Sequence, residues 1–281
     1  METVETIKKT RTKIKYWRQL GQSVGLVPTM GYLHEGHQSL IEKAVKENDH
    51  VVVSIFVNPT QFAPNEDLAS YPRDLEKDQE LCEKAGVRLI FHPEPQEMYP
   101  AGFNTYVAAY GTTEVLEGAS RPTHFRGVTT VVLKLLQIVQ PDRVYFGQKD
   151  AQQVAVVQQM VRDLNVPTEI IACPIIREAD GLAKSSRNVY LSAAERKAAL
   201  VLSRALGLAK NQLEHGIRDP QLVIQAMVEA INQEPLAKID YIEVVDQRSL
   251  KTVNTIDSPI LVPIAVYIGK TRLIDNFYWN E

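Results

Sequence analysis

Two cysteines, Cys82 and Cys173, are all that 281 residues contain. They form neither a metal-type nor a redox-type pair, which argues against a disulfide framework and against a structural zinc site. Both read as buried, inert thiols. Long hydrophobic runs are also missing: stretches such as VVVSIFV (51–57) fall far short of a membrane span. The N-terminal stretch METVETIKKTRTKIKYWRQL is charged throughout and has no apolar core of signal-peptide length, so the expectation is a cytoplasmic protein. Neither sign of charge dominates, with 31 Lys and Arg against 34 Asp and Glu and a formal net charge of −3. No global field therefore draws the chain to nucleic acid or to an anionic membrane, and any anion site must be local. No internal repeat or low-complexity tract is present.

What is there is the ordinary makeup of a globular protein, 44% hydrophobic and 23% charged. The length suffices for a large domain carrying a smaller one, with room for a cleft. Apolar runs of strand length alternate with helical patterns. SVGLVPTM, HVVVSIFVNP, VRLIFHP, DRVYFG and PTEIIACPII read as strands. HEGHQSLIEKAVKEN, PRDLEKDQELCEKAG (closing on Gly86), FRGVTTVVLKLLQIVQ and DAQQVAVVQQMVRDL read as helices. This alternation predicts right-handed βαβ units, an α/β fold with a parallel sheet and helices on both faces, and ligands beyond the C-terminal strand ends. After about Ile176 the alternation stops. Helical patterns over 192–216 and 219–233 precede β-rich YIEVVD and LVPIAVYIG, as in a smaller α+β domain. The expected division is 1–176 and 177–281, within the polar loop READGLAKSSRN.

Three clusters carry chemistry. The first, Pro28 to His37, reads PTMGYLHEGH and opens a helix after a strand. His34 and His37 lie three apart on one helical face, and Gly36 between them lets a ligand approach the backbone. Unpaired N–H groups and the positive end of the helix dipole add to an anion site with two tunable donors. A metal pair or two surface histidines is the competing reading, weakened because no nearby cysteine or carboxylate completes a zinc set. The second cluster is Gly147, Gln148, Lys149 and Asp150. There a tight turn at glycine, a lysine for phosphate and an aspartate for ribose or helix capping fit a nucleotide, and an ordinary capped βα loop fits equally. The third is Lys184, Ser185, Ser186 and Arg187, whose two cations and two hydroxyls could hold a triphosphate or form a solvated basic turn.

Taken together, PTMGYLHEGH, FVNPTQF, YPRDL, HFRGVTTVVLKL, VYFGQKDAQQ and IIREADGLAKSSRN closely resemble the pantothenate synthetase family, over about residues 26–191. The resemblance implies a Rossmann-like HxGH nucleotidyltransferase fold, a homodimer, and ATP with Mg²⁺. It implies an enzyme that activates pantoate as an acyl adenylate and joins it to β-alanine. It places ATP against Met30, Gly31, Tyr32, Leu33, His34, Glu35, Gly36 and His37, with both histidines on the phosphates and His37, His34 and Lys149 catalytic. Gly147 to Asp150 would hold ribose and phosphate, Ile176 at its strand end would meet adenine, and Lys184 to Arg187 would close over the triphosphate. Gln61 would bind pantoate and then β-alanine. Gln153, read as one helical turn beyond Lys149 on the same face, would hold the pantoate hydroxyls. Lys184 departs from the Met that many members carry and is expected to add charge near the phosphates. Asp74 and Asp78, after YPR, are candidate Mg²⁺ ligands, and an ion held mainly by ATP and water is the alternative. Two other readings stand beside this one: an HxGH enzyme transferring AMP or CMP to a phosphate ester, which would want more cations at the acceptor than Gln61 and Gln153 provide, and a non-catalytic nucleotide-binding regulator.

Overall fold

A computed structural model describes residues 1–64 and 66–280. It divides into two compact units, Met1–Gln148 with Gln152–Pro174, and Lys149–Ala151 with Ile175–Glu281.

The first unit runs β1 (Glu2–Val4), α1 (Ile7–Gln19), β2 (Val24–Thr29), α2 (Glu35–Glu47), β3 (His50–Ile55), α3 (Leu75–Lys84) and β4 (Leu89–Phe91). It continues through the short helices α4 (Pro95–Met98) and α5 (Glu117–Ser120) to α6 (His124–Val139), β5 (Arg143–Gly147), α7 (Ala151–Asp163) and β6 (Glu169–Cys173). The six strands form one parallel sheet in the order β1-β4-β3-β2-β5-β6. Strands β2 to β4 are buried almost end to end, as both-face burial of a parallel sheet requires. One apolar cluster joins α1, α6 and α7 to the sheet, and another lies against α2 and α3. The chain runs outward from β2 to β3 and β4, then restarts on the other side of β2 with β5. The switch point therefore lies between β2 and β5, where a ligand crevice forms in open sheets.

Two elements, β1 and α1, precede residue 23, where periodicity in the sequence marks none. Helix α1 is anchored by only Thr10, Ile14 and Trp17 among many charges, so its apolar stripe is too thin to register as periodicity.

The second unit contains α8 (Ala193–Ala198), α9 (Leu200–Glu214), α10 (Pro220–Asn232), β7 (Ala237–Ile242), β8 (Val245–Asp246), β9 (Ile260–Ile268) and β10 (Thr271–Trp279). Its antiparallel sheet runs β10-β9-β7, with β8 paired to β9, over its own core. The single helix expected over 192–216 breaks at Ala199, and strand β10 was not foreseen because polar Asp275 and Asn276 interrupt its pattern. Among the described residues no helix is long and apolar enough to cross a membrane.

Candidate active site

Strand β2 ends at Thr29, whose hydroxyl donates to the Ser54 carbonyl at 2.8 Å and accepts the Gly31 N–H at 3.2 Å. Beyond Met30, two consecutive residues take left-handed backbone, Gly31 at φ +83° and Tyr32 at φ +52°. A non-glycine residue there carries a strain on the order of 1 kcal/mol, so surrounding contacts must impose it. Asp78 on α3 supplies them: Oδ2 accepts the Tyr32 N–H at 2.8 Å and Oδ1 the Leu33 N–H at 2.6 Å. The carboxylate is only 1% exposed. Burial pushes its pKa above the ordinary aspartate value, against the pull of those two N–H groups.

His34 then caps α2. Its Nδ1 accepts the Gly36 N–H at 3.1 Å, while Nδ1 of His37 accepts the His34 N–H at 3.3 Å. The two side chains thus form a reciprocal capping box, with ring centroids 4.1 Å apart. A backbone N–H can only donate, so both Nδ1 atoms present lone pairs and the proton of each neutral ring sits on Nε2. The helix terminus therefore carries two imidazole N–H donors beside its own positive dipole end.

Gln61 closes the 3-10 turn Pro59–Gln61 after β3 and is 9% exposed. Its Oε1 accepts Asn58 Nδ2 at 3.0 Å, and its Nε2 lies 3.3 Å from Met30 Sδ. Asn58 is held in turn by Tyr99 Oη at 2.7 Å and donates to the Gly127 carbonyl at 3.2 Å. The Gln61 carbonyl lies 3.0 Å from His124 Nδ1 and accepts Arg121, which pairs with Glu66. Gly127 permits this approach: a Cβ there would stand 2.3 Å from the Thr60 carbonyl oxygen. Gln153 is half-buried on α7, beside buried Gln152, which bonds the carbonyls of Thr112 and Val115 and the Glu117 N–H. Gln148–Asp150 form a 3-10 turn and α7 begins only at Ala151, so Lys149 and Gln153 do not share an α-helical face as expected. Gly147 is likewise not the tight-turn glycine expected, since its φ lies outside the left-handed region, and a Cβ there would meet no atom within 4 Å.

In the second unit, Asn276 Nδ2 donates to the Lys149 carbonyl at 2.8 Å. Ile176 lies beyond β6, which ends at Cys173 rather than reaching it, and its carbonyl accepts the Lys184 N–H at 2.9 Å. A tight reversal at Gly181, φ +97°, joins those residues through an Arg177–Ala183 bridge. Lys184 Nζ pairs with Glu178 at 2.8 Å, so its charge is engaged within the loop. Ser185 caps the 3-10 turn Ser186–Tyr190 by accepting the Arg187 N–H at 3.3 Å, and Ser186 is buried.

Of the suggested Mg²⁺ ligands, Asp78 is buried with each oxygen accepting a backbone N–H, and exposed Asp74 caps α3 by accepting the Lys77 N–H at Oδ1. No group of three or more His, Cys, Asp or Glu side chains among the described residues could hold a metal ion. Asn58, Tyr99, Arg121 and His124 form a shell around Gln61 to which the sequence assigns no role; its signals are Asn58 within FVNPTQF and the polar HFRG start of an apolar helix.

A family model for pantoate–β-alanine ligases matches residues 2–278. A pantothenate synthetase of Clostridium acetobutylicum is 60% identical over 280 residues, covering 100% of both chains. Among solved structures, pantothenate synthetase from Thermus thermophilus superposes with a TM-score of 0.94 at 46% identity, covering 99% of each chain. Pantoate–β-alanine ligase from Francisella tularensis, complexed with beta-gamma ATP and β-alanine, gives a TM-score of 0.81 at 39% identity, covering 99% of this chain and 97% of that one. Sequence, topology and the arrangement of the HxGH turn thus lead to one assignment: the chain belongs to the pantoate–β-alanine ligase family.

Proposed function

We propose that this protein condenses pantoate with β-alanine at the expense of ATP, through a pantoyl adenylate, giving pantothenate, AMP and pyrophosphate. The observation that carries the reading is the reciprocal cap of His34 and His37, which fixes two Nε2–H donors at the start of α2. Donors held this way need no reorganisation when charge develops on phosphate.

In the first step a pantoate carboxylate oxygen attacks the α-phosphorus, the bond to the bridging oxygen breaks, and pyrophosphate departs. Negative charge grows on the departing oxygens, where His34, His37, Lys149 and Arg187 donate, with His37 the proton donor to the leaving group. ATP lies along Met30 to His37, Gly147 to Asp150 takes ribose and phosphate, Ile176 takes adenine, and Lys184 to Arg187 take the triphosphate. Gln61 and Gln153 hold pantoate through amides that donate and accept without competing with the reacting carboxylate. In the second step the neutral amine of β-alanine, oriented by Gln61, attacks the mixed-anhydride carbonyl. The carbonyl–oxygen bond breaks, AMP leaves, and the amine proton passes to solvent. Positioning matters more than acid catalysis here, because AMP is already a good leaving group.

Magnesium is read as entering with ATP, as part of the substrate, because Asp78 is buried beneath the turn with both oxygens turned to backbone N–H groups, and no cluster of three or more candidate ligands stands among the described residues. The division at residues 176 and 177, with the smaller C-terminal domain acting as lid and substrate domain, belongs to the same proposal. So do a homodimeric state and a cytoplasmic location.

The test is pyrophosphate release with pantoate as the only acceptor, run with and without β-alanine. Release without β-alanine is expected and reports the adenylate directly. A protein that releases pyrophosphate only with a phosphate-ester acceptor would be a nucleotidyltransferase of another kind, and one that binds ATP without turnover would be a regulator.

A further inference from the structure

We propose that Asp78 is a positioning residue for the nucleotide turn, acting through the backbone of Tyr32 and Leu33 rather than through a metal ion. This rests on the reading of Met30 to His37 as the ATP site. Three observations support it. Each carboxylate oxygen accepts one of two consecutive backbone N–H groups of the turn, at 2.8 and 2.6 Å, and the side chain is buried. The first of those groups belongs to Tyr32, whose left-handed backbone is one that side-chain-bearing residues avoid unless held there. The turn also has no slack at this point, since a Cβ on Gly31 would come within 3.0 Å of both Asp78 Oδ2 and Ile55 Cγ2.

Asp78 itself projects from α3, a helix capped by Asp74 and packed by Leu75, Leu81 and Cys82 against the same cluster that holds Leu33. A rigid helix therefore carries a negative charge into the turn and draws two N–H groups inward. This fixes which way the peptide groups of residues 31–33 face, and so where α2 begins and where His34 can cap it. A carboxylate is needed because it alone is isosteric and accepts at both oxygens; an amide in the same place would set its NH₂ against one of the two backbone donors.

The test uses the full chain and compares Asp78→Asn with the parent and with Glu76→Gln, an exposed neighbour on α3. Binding of ATP is measured by titration calorimetry in EDTA, and the magnesium concentration giving half-maximal pyrophosphate release is measured separately at saturating ATP. The expected result for Asp78→Asn is ATP binding weakened about tenfold or more without metal, an unchanged magnesium midpoint, and Glu76→Gln like the parent. Unchanged metal-free binding, or a magnesium midpoint that rises while metal-free binding stays at the parent level, would overturn the inference. Should Asp78→Asn fail to fold, Thr29→Val carries the test. It removes the other side-chain clamp on this turn and is expected to weaken metal-free ATP binding while leaving the magnesium midpoint in place; binding at the parent level would count against the inference. A parent protein that neither binds ATP nor releases pyrophosphate with pantoate would instead defeat the functional reading itself.

Discussion

Asn276 donates from Nδ2 to the carbonyl oxygen of Lys149 at 2.8 Å, linking strand β10 to a residue 127 positions earlier. Asn276 is 2% exposed, and beside it equally buried Asp275 accepts from the two terminal guanidinium nitrogens of Arg177, at 2.6 and 2.9 Å. The three-residue segment carrying Lys149 is thus tied to the last strand of its own unit as well as folded into a 3-10 turn. If Lys149 serves the phosphates, Asn276→Ala should slow adenylation by about tenfold, roughly 1.4 kcal/mol of transition-state stabilisation. Single-turnover pyrophosphate release measures this. A parent-like rate would mean that Lys149 is positioned by other contacts.

His37 has two jobs that one substitution can separate. A Gln or Glu at this position of a helix completes a capping box, so His37→Gln should keep the start of α2 and shift Tm by little. It removes the imidazole N–H, and adenylation should fall by on the order of 10²-fold or more, while attack of β-alanine on preformed pantoyl adenylate changes far less. Equal losses in both half-reactions would remove His37 from the role of phosphate donor.

How much of this was legible in the sequence depended on range. The βα alternation and the HxGH turn could be read because strand burial, helix start and glycine spacing are local signals. The parallel sheet followed from them. Asp78 looked like a metal ligand because a carboxylate after YPR carries no mark of what it will meet 45 residues upstream. The Lys184–Glu178 pair, closed across the reversal at Gly181, was equally unmarked, because residue types in a polar loop do not announce where the chain turns back. The thin stripe of α1 and polar-interrupted β10 were invisible because tertiary partners, not periodicity, stabilise them.

Gly127 offers a test of the turn that carries Gln61. In Gly127→Ala the new methyl would stand 2.3 Å from the Thr60 carbonyl oxygen and 2.6 Å from the Gln61 Cα, backbone atoms that cannot swing aside. The turn must lift off α6, taking Gln61 with it. Both half-reactions should suffer, with a raised KM for pantoate and a stability loss of about 1–3 kcal/mol, as overpacking usually costs. Single-turnover rates for each step, with urea unfolding beside them, decide the matter. A normal second step would confine Gln61 to pantoate.

His124 sets the last expectation, a pH dependence with a definite sign. Its Nδ1 lies 3.0 Å from the Gln61 carbonyl oxygen, which can only accept, so this nitrogen carries the proton of a neutral ring. Burial, then the Arg121 guanidinium, pushes its pKa down from 6.5 to about 4, against smaller upward pulls from the Gln61 carbonyl, Glu117 and Glu66. Between those two values the unfolded chain binds a proton that the folded one refuses, so stability is full above about pH 6.5 and falls as pH is lowered toward 4. The whole interval corresponds to roughly 3 kcal/mol, of which about 2 kcal/mol should be gone by pH 5. His124→Asn keeps an N–H donor for the Gln61 carbonyl but cannot titrate, and it retains Glu66, Glu117 and Arg121 around it. Urea midpoints at pH 7.5 and pH 5 should therefore drop less in the variant than in the parent, with any deficit of the variant at pH 7.5 shrinking or reversing at pH 5. Parallel declines in the two proteins would show that His124 is not the group whose protonation loosens the Gln61 turn.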